Sequence, residues 1–318
     1  TLHFIKHMIE NHRERKLSSV NMFDIVTKIA ASVVVGGVRR SSIITLSDLY
    51  DRGMRDSKKG QFWITNSHRA MSNNSAIYDQ KPTSVDFMKE WLTLAESGTG
   101  ERGIFNRSSI NSLIPKRRRK RQDWTTNPCG EIILRPRGLC NLSEVVIRAD
   151  DTLETLMEKV KVATMIGTIQ SGLTNFKFLN DLHPDWEKNA TEERLLGVSL
   201  TGQMDNPEIL TEDNLQSLRD YAIGVNVETA GRLNINRSAA ITTTKPSGTA
   251  SLLVNSASGF HPRFSDYYIR RVRISTTDPL YKMLKDQGLH FQPEVGQPED
   301  TAQTWVCEFP VKAPDHSV

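Results

Sequence analysis

The segment Asn127-Pro128-Cys129-Gly130-Glu131 places an amide, a thiol and a carboxylate within five residues. Pro128 fixes one backbone dihedral and Gly130 frees another, so the segment can form a tight and rigid loop. Asn127, Cys129 and Glu131 share parity, and an extended tip would present all three on one face. Alone, a cysteine is most often a small buried hydrophobe and an Asn-Pro pair is most often a turn. In combination they indicate a candidate site.

Two further segments carry groups that can do chemistry. Leu139-Cys140-Asn141-Leu142-Ser143-Glu144 supplies a second thiol. Lys245-Pro246-Ser247-Gly248-Thr249 follows a predicted strand and opens a predicted helix. Backbone N–H groups at a helix start attract phosphate, and a glycine permits close approach. Pro246, Ser247, Gly248 and Thr249 are therefore the candidate phosphate-binding residues, although an ordinary turn with a helix cap explains the same pattern.

The hydrophobic pattern predicts the elements that position these segments. The predicted helices cover residues 20–35, 83 to about 98, 152–175 and 211 to about 233. The predicted strands cover residues 40–46, 104–105, 132–134, 145–147 and 239–243, with the second of these buried. Helices and strands alternate, which is typical of the α/β class. The pattern alone does not separate a barrel from an open sheet.

Composition narrows the classes of protein. The chain has 318 residues, of which 37% are hydrophobic and 25% charged, as in ordinary soluble globular proteins. The net charge of +4 suits a ligand with phosphates but does not demand nucleic acid. No apolar run approaches the roughly 18 residues that a membrane helix needs. We expect both ends to be cuts through a longer protein, since the chain starts at Thr1 without an initiator Met.

The three cysteines are too few, and odd in number, for a secreted disulfide framework. We therefore expect a cytoplasmic setting. Their spacing, and that of the histidines, does not match a zinc site, so no metal is expected. Cys307 is flanked by apolar residues and is interpreted as structural.

Asn-Pro-Cys-Gly-Glu, followed eleven residues after its cysteine by Cys-Asn-Leu-Ser-Glu, resembles the finger loop of ribonucleotide reductases. Within that family it is most similar to the adenosylcobalamin-dependent class, and there to the monomeric branch that reduces triphosphates. Further segments resemble the family in the same order along nearly the whole chain: Gly37-Val38-Arg39-Arg40-Ser41-Ser42, Met71-Ser72-Asn73-Asn74-Ser75-Ala76, Gly103-Ile104-Phe105-Asn106-Arg107, Thr244-Lys245-Pro246-Ser247-Gly248-Thr249 and Gly259-Phe260-His261-Pro262.

The resemblance implies a ten-stranded α/β barrel with a central finger loop. Residues 1–318 would form one catalytic barrel domain that lacks its N-terminal part and its C-terminal tail, and would supply roughly the C-terminal two-thirds of the barrel. It also implies adenosylcobalamin as cofactor and a ribonucleoside triphosphate as substrate. Neither a membrane nor nucleic acid is an expected partner.

The resemblance also implies the roles of the site residues. Cys129 becomes the thiyl radical that abstracts the ribose 3′-hydrogen. Glu131 is the general base at the 3′-hydroxyl, and Asn127 hydrogen-bonds the ribose hydroxyls. The segment 245–249, with Pro246, Ser247, Gly248 and Thr249, holds the substrate phosphates.

Reduction of the substrate radical needs two electrons, normally from a cysteine pair that becomes a disulfide. The resemblance implies that Cys140 is one member and that its partner lies upstream of the finger loop. No cysteine precedes Cys129. We expect the chain to begin after the strand that carries this partner; a degenerate copy without turnover is the alternative. The family's C-terminal dithiol, which a thioredoxin-type or other dithiol reductant would serve, is also missing, so the chain alone is expected to be inactive.

Two further patterns favour ordinary explanations. Residues 98–103 match a dinucleotide fingerprint, but a helix precedes and a strand follows, which is the reverse of the required context. Residues 116–121 are six consecutive cations, which we interpret as a solvated loop that favours an anionic nucleotide.

Other functions stay open at this point. The same chemistry can be driven by a separate radical-generating metalloprotein subunit. A nucleotide- or nucleic-acid-binding protein would bind through residues 116–121 in a salt-sensitive way, without need of Cys129. A truncated and inactive gene product is the third alternative.

Overall fold

Helices and strands alternate along the chain, and the predicted α/β class is confirmed. The computed structural model describes residues 1–12, 15–35, 38–39, 41–248, 250–295 and 297–315. The chain divides into two compact units. The first comprises residues 1–109 with 269–311, and the second comprises residues 110–268 with those from 312 onward.

The first unit contains a parallel three-stranded sheet, a second three-stranded sheet and several helices. Strands β3 (Ile43–Asp48), β4 (Ser72–Ile77) and β5 (Gly103–Phe105) pair in that order, all parallel. The second sheet is formed by β10 (Tyr267–Ser275), β11 (Phe291–Pro293) and β12 (Thr304–Lys312), in the strand order β10-β12-β11. Strands β1 (Val34–Val35) and β2 (Val38–Arg39) pair with each other. The helices are α1 (Leu2–Glu10), α2 (Ser19–Ala30), α3 (Arg52–Asp56), α4 (Phe62–Thr65), α5 (Ser84–Ser97) and α12 (Pro279–Asp286).

The second unit holds the candidate site. Strand β8 (Cys140–Val146) pairs in parallel with β9 (Leu195–Thr201). Residues 239–243 run alongside β9, to which they are joined by a parallel bridge between Val198 and Thr242. The other elements are α6 (Ile110–Leu113), β6 (Thr125–Thr126), β7 (Ile133–Leu134), α7 (Leu153–Gln170), α8 (Lys177–Leu182), α9 (Asp185–Glu193), α10 (Glu212–Arg232) and α11 (Ala250–Leu253).

One face of the β8–β9 pair packs on helices α7 and α10. Side chains alternate along a strand, so Val145 and Ile147 point into this core while Cys140 and Glu144 point to the opposite face. The core consists of Val145, Ile147, Leu156, Val160, Ala163, Leu196, Val198, Leu218, Ala222 and Ile241. The opposite face is thereby left for the site.

Local capping explains where the long helices begin. The side chains of Thr83, Thr152 and Thr211 each accept a hydrogen bond from a backbone N–H three residues on. These bonds satisfy donors that the first helical turn leaves without partners. The predicted helix starts are confirmed at all three positions. Helix α5 ends as predicted at Gly98, whose φ of 63° is readily adopted by glycine.

Element ends differ more from the predictions. The helices predicted over residues 20–35 and 152–175 each end five residues early, at Ala30 and Gln170. Strand β8 begins at Cys140, five residues before the strand predicted from 145. The strand predicted at 104–105 exists, but Ile104 is 53% exposed, so the prediction that this strand is buried was wrong for Ile104. Gly36, Gly37 and Arg40 lie outside the described residues.

None of the helices given above is both long and apolar enough to cross a membrane.

Candidate active site

The Asn127–Glu131 segment is the tip of a β-hairpin. Strands β6 and β7 pair antiparallel, with Thr126 opposite Ile133. At the tip, the Gly130 N–H donates to the Asn127 carbonyl oxygen at 3.0 Å, and Gly130 has a φ of 86°. Glycine reaches this conformation without steric cost, which accounts for its position here. The tip is thus a closed turn and not the extended strand that the parity argument assumed.

Asn127 closes the base of this turn. Its side-chain Oδ1 accepts a 2.9 Å hydrogen bond from the backbone N–H of Ile132 and a 3.4 Å bond from the Thr126 hydroxyl. The Thr126 hydroxyl also lies 3.0 Å from the Ile132 carbonyl oxygen. One end of the Asn127 amide is therefore used to hold the loop, and the Nδ2 end is the part that can donate to a ligand.

The hairpin is fixed on the open face of the β8–β9 pair. Ile132 packs with Leu195 and Ala239, and the Thr243 hydroxyl donates to the Glu131 carbonyl oxygen at 2.8 Å. At Gly197 a Cβ atom would lie 2.4 Å from Cδ2 of Leu142 and 3.1 Å from Cδ1 of Ile132. A Cβ here would crowd one side chain of β8 and one of the hairpin, and glycine avoids both contacts.

The register of the two strands arranges the groups beneath the hairpin. Cys140 pairs with Leu195, Leu142 with Gly197, and Glu144 with Ser199. These pairs share the face that the hairpin covers, because every second residue of a strand points to the same side. The structure thus brings a thiol and a second carboxylate, those of Cys140 and Glu144, under the tip that carries Cys129 and Glu131.

Several polar groups in this region are buried without a hydrogen-bond partner. Both carboxylate oxygens of Glu131 are in this state, and so are Oε1 of Glu144 and Oγ of Ser199. Burial of a polar group without a partner is costly, and the cost is larger for a charged group. Such groups in a native structure are explained when a ligand or substrate completes their hydrogen bonds.

The two thiols are both held in their protonated form. Partial burial raises the pKa of the Cys129 thiol; Glu131 raises it further, while Lys245 opposes the shift. Burial, and then the carboxylate of Glu131, raise the pKa of Cys140 to about 11. Glu131 therefore lies within electrostatic reach of both thiols. A nucleophilic or metal-binding cysteine needs a lowered pKa, whereas these thiols keep their S–H hydrogen at neutral pH, which a hydrogen-atom donor requires.

The proposed phosphate segment lies at the end of the same sheet. Ser247 is buried, and its hydroxyl donates to Oε2 of Glu144 at 2.8 Å. Gly248 has a φ of 56°, and its carbonyl oxygen accepts from the Ser251 hydroxyl. The following helix α11 has only four residues, and Thr249 lies outside the described residues. Ser247 is consequently engaged with a carboxylate, and a phosphate here would rely on other donors.

Two residues of this region were not assigned roles from the sequence: Glu144 and Ser199. Glu144 lies four residues after Cys140, and strand alternation would have placed both on one face once the strand was extended to Cys140. Ser199 had no such signal, because its position depends on the pairing of β9 with a distant segment.

The basic run at residues 116–121 is not uniformly solvated, which corrects the sequence interpretation. Arg118 is buried, donates to both carboxylate oxygens of Glu193 at 2.8 and 2.9 Å, and stacks on Trp124. It also donates to the Ile133 carbonyl oxygen at 2.8 Å. Arg118 thus anchors the hairpin strand β7. Cys307 is fully buried in the first unit, as a structural cysteine should be.

Within the described ranges, no cluster of three or more His, Cys, Asp or Glu side chains could hold a metal ion.

Comparison with known proteins confirms the resemblance over almost the whole chain. No family model matches. The chain is 28% identical over 359 residues to the adenosylcobalamin-dependent ribonucleoside-triphosphate reductase of Lactobacillus gasseri, covering 97% of this chain and 44% of that protein. It is 28% identical over 308 residues to a probable adenosylcobalamin-dependent ribonucleoside-triphosphate reductase of Dictyostelium discoideum, covering 93% of this chain and 38% of that protein.

The fold is also similar to a solved structure. A crystal structure of a B12-dependent (class II) ribonucleotide reductase superposes with a TM-score of 0.67 at 22% identity, covering 97% of this chain and 45% of that one. The chain therefore spans less than half the length of the proteins that it matches.

Proposed function

We propose that this chain is the catalytic-barrel part of an adenosylcobalamin-dependent ribonucleoside-triphosphate reductase, with Cys129 as the residue that becomes a thiyl radical. The observation that carries the proposal is the buried carboxylate of Glu131, which lacks hydrogen-bond partners and lies within electrostatic reach of two protonated thiols. The names of the relatives agree with it. We further propose that residues 1–318 belong to one ten-stranded α/β barrel domain, of which they supply the C-terminal two-thirds, with the hairpin as its central finger, in a cytoplasmic protein.

The properties of Cys129 fit the cofactor. Adenosylcobalamin supplies a carbon-centred radical by homolysis of its cobalt–carbon bond. Cys129 lies at the exposed hairpin tip and keeps its hydrogen, because burial and Glu131 raise the pKa of the thiol. It can therefore give up that hydrogen as an atom. Of the described residues, Cys129 is the one that we place against the cofactor.

The thiyl of Cys129 then abstracts the 3′-hydrogen atom of the ribose, which leaves a substrate radical. Glu131 accepts the proton of the 3′-hydroxyl, a step that requires a carboxylate oxygen within about 3 Å of it. The orphaned oxygens of Glu131 are free for that bond. Asn127 would direct its Nδ2 donor to a ribose hydroxyl, since its Oδ1 already closes the loop.

Loss of the 2′-hydroxyl as water needs one proton, and reduction of the radical needs two electrons. Cys140 is a thiol at neutral pH and can donate the proton. It supplies one half of the dithiol that becomes a disulfide. The second thiol of this pair is not among residues 1–128, because they contain no cysteine. A thioredoxin-type or other dithiol reductant would restore the pair.

We place the substrate phosphates at the loop of Pro246, Ser247, Gly248 and Thr249. Lys245 adds a positive charge there, and the same side chain lies near enough to Cys129 to act on its pKa. Since Ser247 is bonded to Glu144, we expect the backbone and Lys245 to contribute more than the Ser247 hydroxyl.

The test is an assay of cytidine triphosphate reduction by the complete protein with adenosylcobalamin and a dithiol. Wild type is compared with Cys129→Ser, and Cys307→Ala is the matched control because that cysteine lies in the first unit. We expect cofactor-dependent deoxynucleotide formation that is lost in Cys129→Ser and kept in Cys307→Ala. Product only with an added radical-generating metalloprotein subunit would move the chain to that class of reductase. No product under either condition would show that the proposal is wrong.

A further inference from the structure

A cleft of about 710 Å³ opens at the end of the second unit opposite to the Ser247 loop. Asn189 and Glu193, which precede the start of β9, line it, whereas the Ser247 loop follows the far end of the neighbouring segment 239–243. Its volume is within the range of roughly 300–1,000 Å³ found for small-molecule sites. Neither Cys129 nor Glu131 lines it. It is therefore separate from the site described above.

The lining of this cleft has an excess of three positive charges, because seven of its side chains are cationic and four are acidic. Each acidic group is held by an arginine of the cleft itself. The pairs are Glu193 with Arg118 at 2.8 Å, Glu192 with Arg135 at 2.8 Å, Asp123 with Arg121 at 2.7 Å, and Asp185 with Arg137 at 3.6 Å. Among the cleft residues that the structure describes, this leaves Arg117, Arg119 and Lys188 without an acidic partner.

Arg117 differs from the other two because part of its guanidinium is buried. Its Nη1 is fully buried and has no hydrogen-bond partner. Burial, and then the neighbouring charge of Arg237, lower the pKa of Arg117. A desolvated guanidinium with a buried, unpartnered N–H group is unfavourable unless an anion completes its hydrogen bonds.

We propose that this cleft, hereafter the arginine cleft, binds an oligophosphate, with Arg117 as its buried contact and Arg119 and Lys188 as the further unpaired cations of its lining. Guanidinium groups offer paired donors that match phosphate oxygens. Several cations around one deep volume fit a ligand with several anionic groups better than a single carboxylate. Free oligophosphate and the phosphate chain of a nucleotide share this chemistry.

The inference goes beyond the proposed function and does not depend on it. Arg118 and Arg135 line the cleft while Arg118 also holds the hairpin strand β7. The ligand would thus bind beside the base of the hairpin that carries Cys129, at a site that no step of the proposed reaction uses.

The probe is sodium tripolyphosphate, titrated calorimetrically into the intact protein at fixed ionic strength. We expect saturable binding to one site, weakened about tenfold or more in Arg117→Gln, since one charge-assisted contact is worth about a factor of ten. Arg119→Gln and Lys188→Gln should weaken it less, and they carry the test if Arg117→Gln does not fold. Arg232→Gln is the matched control, an exposed arginine paired with Glu228 on α10, and should bind as wild type.

Competition distinguishes the sources of the ligand. Displacement of tripolyphosphate by ATP would identify the phosphate chain of a nucleotide, whereas no displacement by ATP would identify free oligophosphate; both support the site. Orthophosphate that binds as tightly as tripolyphosphate would overturn it. So would displacement by a single-stranded oligonucleotide of about 30 residues with a steep salt dependence, which would indicate a nucleic-acid surface.

Two further variants separate this inference from the proposed function. Cys129→Ser should lose nucleotide reduction and still bind tripolyphosphate, so failure of one proposal does not decide the other. Binding that is unchanged in a folded Arg117→Gln, or lost in Ser247→Ala, would contradict the arginine cleft as the site.

Discussion

The hydroxyl of Ser247 donates a 2.8 Å hydrogen bond to Oε2 of Glu144 across a separation of 103 residues. Glu144 stands on β8 under the hairpin, and Ser247 belongs to the loop after the segment that runs beside β9. The bond therefore ties the loop of the proposed phosphate site to the strand that begins with Cys140. The other oxygen of Glu144 is buried without a partner.

Removal of this bond should destabilise the second unit. Ser247→Ala leaves both oxygens of Glu144 without a partner, and we expect the free energy of unfolding to fall by about 1–3 kcal/mol. Urea unfolding measures the change. A double-mutant cycle with Glu144→Gln provides the control, since a residue pair in direct contact should show a coupling energy of about 0.5 kcal/mol or more. Strictly additive effects would contradict the bond.

The two thiols of the site should react slowly with alkylating reagents at neutral pH. Only the thiolate reacts, and the raised pKa shifts its appearance to higher pH. In a variant that keeps Cys140 alone, the rate of reaction with iodoacetamide should reach half its maximum near pH 11, not near the ordinary value of 9.0. A midpoint at or below 9 would refute the environment described here.

Glu131→Gln should lower the midpoints of both thiols, because the same carboxylate contributes to both raised pKa values. Burial is the larger cause, so each midpoint should stay above the ordinary value. Glu144→Gln is the matched control, a carboxylate on the same strand face that has no part in the shift of Cys140. Should Glu131→Gln move only one midpoint, Glu131 would not lie within reach of both thiols.

A side chain at Gly197 should push the hairpin away from the sheet. Gly197→Ala places a Cβ 2.4 Å from Leu142 and 3.1 Å from Ile132, and overpacking of this kind costs about 1–3 kcal/mol. Leu142→Ala in the same chain should recover part of the loss by making room. Gly224→Ala on α10 is the control: its Cβ meets nothing, and the change should stabilise the helix by about 0.5–1 kcal/mol. Thermal unfolding of the wild type and of these three variants measures the differences.

Arg118→Met should be strongly destabilising, by about 3–5 kcal/mol, because it removes the two short bonds to the buried carboxylate of Glu193 and the bond to the Ile133 carbonyl oxygen. Glu193 then keeps only its 3.3 Å ion pair with Arg135. Lys120→Met, two residues along the same basic run and exposed, should change the free energy of unfolding by less than about 0.5 kcal/mol. Denaturant titration compares them. Equal effects would return residues 116–121 to the solvated loop that the sequence predicted.

Local patterns in the chain were enough to identify the chemistry-bearing groups and most of the long helices. Asn127, Cys129 and Glu131 are neighbours in the chain, so a tight loop of Pro128 and Gly130 was enough to bring them together. The helices that start at Thr83, Thr152 and Thr211 could be predicted because the hydrophobic spacing and the capping hydroxyl are both local signals. The motifs also indicated the relatives that comparison confirms over 97% of the chain.

Which distant groups share the site depends on how the strands pair in the folded chain. Glu144 lies beside Ser199 because β8 and β9 pair in one register, and a slip of β8 by one residue would turn Glu144 to the other face. Gly197 has little room for a side chain because Ile132 of the hairpin packs against it. Arg118 can be buried because its charge is paired with Glu193, 75 residues away in the chain. Contacts of this range depend on strand pairing and close packing, which leave no mark in local spacing. The sequence could therefore identify the two thiols and Glu131. It could not predict the burial that raises the pKa of both thiols.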